Sequence, residues 1–184
     1  MFITEGILDA LDHSSPETLV GGKLGVDVTS ANIVEEPKLI NDNELLEDVK
    51  ALIPDTVNLH QYMTRTKNPI TVITINKKES AKRYFEALKP LMNHLRIVVF
   101  VDALNNDIFN PYMLVWRVTN NIDAQRDIYI HELMVGIDGT NKNKLDGYTR
   151  EWPDDVICTR RVIDSLKERN IWDFDEKLEG KFQI

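Results

Sequence analysis

Two β-branched runs, "ITVITIN" (70–76) and "RIVVFVDA" (96–103), leave this chain few folds. Neither alternates apolar with polar residues, so each reads as a strand that needs cover on both faces. Between them, "ESAKRYFEALKPLMNHL" sets Ala81, Tyr84, Phe85, Leu88, Leu91 and Met92 at helical spacing. Pro90 has no amide hydrogen and is expected to kink that helix or end its first part. After the second run, Asn110 is a suitable N-cap and Pro111 stands at the first helical position of "PYMLVWRVTNN". Met113, Leu114, Trp116 and Val118 give that helix its apolar surface. "RDIYIHELMVGID" reads as a third strand. Strand, helix, strand, helix, strand predicts an α/β fold: a small, mostly parallel sheet of three to four strands in a three-layer arrangement, with right-handed crossovers.

The flanks divide the chain further. Residues 1–35 open on a short strand, "MFIT", followed by a glycine-containing loop. Residues 36–68 are a linker and an acidic helix, "NDNELLEDVKALI", capped by Asn43 or Asp42, with Leu45, Leu46, Val49, Leu52 and Ile53 turned inward. The stretch "NLHQYMTRTKNP" reads as a polar connector. Residues 69–155 hold the α/β core, and 156–184 a C-terminal helix, within "DVICTRRVIDSLKERNI", and a charged tail.

Composition removes several function classes. The 184 residues carry a net charge of −8, which is wrong for a general nucleic-acid binder that must displace counterions with a basic face. No apolar run approaches the roughly 20 residues of a membrane span. The first residues lack the basic and long apolar regions of a secretory signal. Cys158 is the one cysteine, which excludes a disulfide framework and a cysteine-rich metal site and suggests a reducing, cytoplasmic setting.

One phrase occurs twice. "GGKLGVDVT" (21–29) and "MVGIDGT" (134–140) share Gly-[Val/Ile]-Asp-x-Thr, and each follows a strand. The earlier copy has a longer loop, "DALDHSSP", and lacks whatever should precede its last strand. The pattern suggests that residues 1–35 end one domain and that 69–155 are a shortened second copy of it.

These residues resemble the UbiD family of carboxy-lyases, the polyprenyl-hydroxybenzoate decarboxylase group. The resemblance rests on "DALDHSSPETLVGGKLGVD". It rests also on Asp102, Leu114-Val115-Trp116-Arg117, Asn120-Asn121, Asp123 and Arg126-Asp127, and on "GIDGTNK" (136–142) with "REWP" (150–153). It implies the fold of that family's C-terminal domain. It implies too that the full-length enzyme performs reversible, non-oxidative decarboxylation of aromatic or unsaturated acids, as in quinone biosynthesis. Family enzymes use prenylated FMN, with a divalent metal at the cofactor phosphate. The flavin, the metal ligands and a Glu-Arg-Glu catalytic set lie in an upstream flavin-binding barrel domain. Nothing in this sequence matches that domain, so the resemblance carries no catalytic residue, metal ligand or cofactor onto it. A pared-down duplicate suggests a structural or oligomerising role. The alternative is a stand-alone module that binds a small ligand or a partner.

Candidate ligand-facing residues follow from position. Asp102, Asn105, Asn106 and Asp107 come after the second strand, at the edge of an open parallel sheet that ligands favour; Asx turns and helix caps use the same residues. Asp138, Thr140 and Lys142 form the best-matched phrase, where the lysine is placed to meet an anion or the aspartate to bind its own loop. "KKESAK" after the first strand has no glycine, which argues against a dinucleotide; Lys77 and Lys78 leave room for a simple phosphate. His13, His60, His94 and His131 are scattered and show no zinc spacing. In the C-terminal helix, Val156, Ile157, Ile163 and Leu166 fall near one side, with Trp172 and Phe174 beyond. An apolar stripe of this kind has to be buried, which predicts a homodimer through the helix and tail.

Overall fold

The computed structural model describes residues 2–7, 9–27, 35–172 and 175–182. Phe174, one of the expected interface residues, and Thr29 of the first repeated phrase lie outside them. In chain order the strands are β1 (Phe2–Ile7), β2 (Val20–Gly25), β3 (Thr56–Tyr62), β4 (Ile70–Ile75), β5 (Ile97–Asp102), β6 (Ile128–His131) and β7 (Met134–Asp138). The helices are α1 (Asp42–Leu52), α2 (Ala81–Ala87), α3 (Pro111–Asn121), α4 (Ala124–Asp127), α5 (Arg160–Glu168) and α6 (Glu176–Gly180).

The two β-branched runs are the parallel neighbours β4 and β5 inside a five-stranded sheet of order β3-β4-β5-β7-β6. β5 and β7 are also parallel; β3 and β6 run antiparallel at the edges. The α/β class is as expected, but the sheet is mixed. Each added antiparallel strand has a local cause. "TVNLHQY" is a strand and not a connector, because its polar side chains find partners. Gln61 donates to the Ile40 carbonyl (2.8 Å) and to Asp42 (2.9 Å), His60 meets Asp42 at 2.7 Å, and the Tyr62 hydroxyl donates to the Ile108 carbonyl (2.5 Å). "RDIYIHELMVGID" is two strands and not one, since Glu132 takes a left-handed φ of 51° and turns the chain back. An uninterrupted apolar run does not distinguish one strand from a tight hairpin. β7 is therefore reached through β6, and among the described residues the direct parallel crossover is β4–α2–β5.

The apolar layers lie on both faces of the sheet. One packs Ile73, Ile75, Val98 and Phe100 against Leu45 and Val49 of α1 and Phe85 and Leu88 at α2. The other packs Val72, Val99 and Val101 against Ile108 and Leu114. Each such side chain contributes about 1.5–3 kcal/mol by burial. α2 ends at Ala87, and Pro90 sits in the short 3-10 turn that follows. α1 is capped by Asn41, whose side chain accepts from the Glu44 amide (3.0 Å). The expected cap Asp42 is instead occupied by His60 and Gln61.

The N-terminal part is a separate antiparallel hairpin of β1 and β2, so "GGKLG" is a strand and not a loop. Its "DHSS" loop docks on the core. The Tyr148 hydroxyl donates to the His13 carbonyl (2.6 Å), and Arg150 donates to the His13 and Ser15 carbonyls (2.9 and 2.6 Å). At the other end, α5 begins at Arg160, five residues later than the sequence suggests. Residues 151–159 have no regular structure; Val156 and Ile157 are 97% and 65% exposed and belong to no helical stripe. The β-branched Val156, Ile157 and Thr159 disfavour helix there; Thr159 takes the N-cap position without a side-chain hydrogen bond. Cys158, on the same segment, is exposed.

Candidate functional site

The carboxyl ends of β4, β5 and β7 lie side by side, so the residues just beyond them converge. Asp138 ends β7 and is fully buried. Its Oδ1 accepts from the Thr140 amide (2.9 Å) and hydroxyl (2.5 Å), which folds the loop back over the strand end. Lys142 completes that loop. Its Nζ donates to the Asp138 and Thr140 carbonyls (2.8 and 2.6 Å) and lies 3.4 Å from Asp138 and 3.8 Å from Asp127. Lys77, just past β4, donates to the Thr140 hydroxyl (2.7 Å) and Asp146 (2.6 Å), with Asp138 at 3.7 Å. Asp127 is held by Arg126 at 2.8 and 2.6 Å and accepts from the Asp123 amide. Asp123 caps α4 and accepts from the Gly22 amide of β2 (2.5 Å). A continuous charged chain thus runs from the N-terminal hairpin to the strand ends.

These charges are almost wholly removed from water: side-chain exposure is 0% for Lys142 and Asp127, 1% for Asp138, and 4% for Lys77 and Asp146. Burial would raise the Asp138 carboxyl, but Lys142, Lys77 and the Thr140 hydrogen bonds hold it below the usual carboxylate range. Burial wins at Asp127, which lies above that range despite Arg126 and Lys142. Burial likewise pushes the Lys142 ammonium down, against the pull of Asp138 and Asp127.

Beside this cluster is a polar cleft of about 340 Å³, lined by Asn76, Lys77, Asp102, Asn106, Arg117 and Asp155 among others. Asp102 accepts from the Asn141 amide (2.7 Å), and burial raises its pKa. Arg117 grips both oxygens of Asp155 at 2.5 and 2.7 Å and donates to Asn106 at 3.2 Å. The structure therefore brings Asp102, Asp138, Thr140 and Lys142 together. Asp107 is left out: it is exposed and accepts from the Phe109 amide (2.9 Å) in an Asx turn. Lys77, Arg117, Asp127, Asp146 and Asp155 are the members that the sequence reading did not place there. Their signal was faint, since each is a single charge with no spacing that ties it to the others.

The second concavity, about 770 Å³, is apolar and lies among α3, residues 156–158, α5 and α6; Tyr112, Trp116, Ile157, Ile163, Trp172 and Phe182 contribute to it. Val156 and Ile157 line it from the extended segment, and Leu166 is partly buried within α5.

The strand-end residues do not fit a flavin phosphate or its metal. Lys77 and Lys142 are already surrounded by carboxylates and loop carbonyls. Among the described residues, no three His, Cys, Asp or Glu side chains are grouped to hold a metal ion. No helix among them is long and apolar enough to cross a membrane.

A mixed α/β sheet whose strand-end loop is closed by Gly-Ile-Asp-Gly-Thr-Asn-Lys defines a domain class that occurs in known proteins. Residues 38–164 match the family described as the 3-octaprenyl-4-hydroxybenzoate carboxy-lyase C-terminal domain, UbiD_C, and the chain belongs to that family. An uncharacterized protein of Helicobacter pylori strain J99 is 45% identical over 185 residues, covering 99% of this chain and 30% of its own length. One from Archaeoglobus fulgidus is 28% identical over 142 residues, covering 64% of this chain and 29% of its own. The chain thus spans under a third of the curated relatives it matches. Among solved structures, an evolved dimeric form of the UbiD-class enzyme HmfF from Pelotomaculum thermopropionicum, in complex with prFMN, superposes with a TM-score of 0.53 at 26% identity, over 67% of this chain and 27% of that one. The same enzyme in complex with FMN gives 0.50 at 25% identity, over 71% and 32%.

Proposed function

We propose that this chain is the C-terminal part of a longer, cytoplasmic UbiD-like decarboxylase of aromatic or unsaturated acids, of the kind that serves quinone biosynthesis. Its role there is structural and oligomerising. It binds neither flavin nor metal by itself, and catalysis belongs to an upstream flavin-binding domain. The observation that carries this reading is the inward-turned ion network: the phrase ending in Lys142 spends its charges inside the fold. The length of the relatives supports a larger parent. The test is reconstitution of the 184-residue chain with prenylated FMN and a divalent metal, then assay on an aromatic acid. Neither stoichiometric flavin absorbance nor carbon dioxide release is expected, and the two together overturn the reading.

One observation favours a second reading, a stand-alone ligand-binding module: the polar cleft beside Asp102 and Arg117. The mass of the protein from its native source separates the two, since a module has the 21 kDa of this chain.

A further inference from the structure

The β1–β2 hairpin matches the β6–β7 hairpin position by position, yet it lacks a neighbour that β6–β7 has. With the Gly-[Val/Ile]-Asp phrases aligned, Tyr129 faces Gly136, Ile130 faces Val135 and His131 faces Met134. In the first hairpin Phe2 faces Gly25, Ile3 faces Leu24 and Thr4 faces Lys23. Each hairpin has a glycine at that position with a ring over it: a Cβ on Gly136 would stand 2.4 Å from the Phe85 ring of α2, and one on Gly25 would stand 2.1 Å from the ring of its cross-strand partner Phe2.

The hydrogen-bonding parity is also shared. The Val135 amide turns away from β6 and donates to the Arg96 carbonyl at the start of β5 (2.7 Å). On β2, the Val20 and Gly22 amides turn away from β1, to the Glu17 carbonyl (3.2 Å) and to Asp123 (2.5 Å). Strand alternation then turns the Leu24 and Val26 amides the same way. In the second hairpin that outward edge pairs with β5, Ile97 opposite Val135 and Val98 opposite Gly136. Among the described residues β2 has no strand there, and Leu24 and Val26 are 40% and 57% exposed. Folded proteins cover or blunt such edges.

We propose that the outer edge of β2 at Leu24–Val26 is the docking site of a parallel, Val/Ile-rich strand from another α/β unit built like β4–α2–β5. The β5–β7 register places the counterpart of Ile97 opposite Leu24. The strand is carried in cis by the further polypeptide of a longer parent, and the proposal rests on that reading of the chain. Relatives that match 99% of this chain with 30% of their own length have room for such a unit. A second copy does not offer it: its parallel strands β4, β5 and β7 are paired on both sides, and its open edges, β1, β2, β3 and β6, all belong to antiparallel pairs.

The test compares amide hydrogen exchange of residues 20–27 in the protein from its native source and in the 184-residue chain. The Leu24 and Val26 amides are expected to exchange about 100-fold slower or more in the native protein, as in a sheet interior. Equal rates in a native protein heavier than 21 kDa overturn the pairing and leave the parent reading standing; a native mass of 21 kDa overturns both. Protection that grows with concentration of the 184-residue chain also overturns the proposal, because it names a second copy as occupant. The variant Leu24→Pro removes the outward amide while sparing the β1–β2 bonds. It is expected to leave the unfolding midpoint of the 184-residue chain unchanged and to lower that of the native protein; an unchanged midpoint in the native protein refutes the pairing.

Discussion

Replacing Lys142 by methionine keeps the aliphatic stem and deletes the ammonium. The structure fixes what is lost: two hydrogen bonds to loop carbonyls at 2.8 and 2.6 Å, and two ion contacts at 3.4 and 3.8 Å. Asp138 keeps Lys77 and Thr140, and Asp127 keeps Arg126, but both stay out of water with less compensating charge. Removing one partner of a buried pair costs about 3–5 kcal/mol. Against a typical stability of about 5–15 kcal/mol that is a large fraction, and it lowers the thermal midpoint by about 6–20 °C for a chain of this size. The pH dependence is distinctive. Asp138, held low, contributes stability that is present above its unfolded pKa and lost as pH falls through its folded one. Asp127, raised, opposes folding as pH rises through its folded pKa. Deleting Lys142 raises both carboxyls, so the deficit of Lys142→Met is greatest at pH 7 and shrinks toward pH ~4.5 as protons replace the missing charge. Urea unfolding followed by circular dichroism at both pH values is the assay. A loss under about 1 kcal/mol at pH 7, or a deficit that grows in acid, refutes the view that this lysine is a structural counter-ion.

Gly136→Ala brings a methyl to 2.4 Å from the Phe85 ring; overpacking of this kind lowers stability by about 1–3 kcal/mol, measurable in the same titration. Arg117→Ala releases Asp155 from its two-pronged grip, so cleavage after Arg160 or Arg161 in limited trypsin digestion is expected to accelerate several-fold. The same grip holds the Asp155 carboxyl below its ordinary value, so in the unaltered chain cleavage by an acid-active protease is expected to stay slow until pH falls through that lowered pKa and to speed up below it. At micromolar concentration the chain is expected to sediment as a dimer, and to revert to a monomer when the residues after Asp155 are removed; a 21 kDa monomer insensitive to that deletion rejects self-association through the tail.

The parts of the fold that were legible are those where one signal acts alone. Short β-branched runs bounded by turn residues favour buried strands, so β4 and β5 were plain. Asn110-Pro111 marks the start of α3 without ambiguity. What was missed depends on partners distant in sequence. β3 looks polar until Asp42 and the Ile40 carbonyl are beside it. The bend at Glu132 comes from a non-glycine residue in a left-handed conformation, which composition does not flag. At the site, Asp138, Thr140 and Lys142 were found because one short phrase carries them. Lys77 was read only as a phosphate contact and Asp127 only as part of the family resemblance, and Asp146 was not singled out, because burial and not residue type makes them a network. Val156 and Ile157 look helical when read as a stripe, and the structure leaves them extended.

The likeness of the two hairpins has a consequence for how the chain folds as it is made. β1–β2 is complete long before β7 is synthesised. β4 and β5 then appear, and until residue 134 is reached the far side of β5 is an unfilled parallel edge. β2 carries the same pairing parity as the strand that belongs there, so it is a ready competitor for the vacancy. Contacts of high sequence separation form slowly, which lengthens that window. Lys23 stands at the place that Met134 holds in the correct pairing, and Met134 is 1% exposed. Seating β2 on this β5 would bring an ammonium under α2, where a buried charge costs several kcal/mol unless it is paired. Lys23 therefore disfavours β2 on this β5, and a unit that receives β2 has to offer that lysine a carboxylate or an opening to water.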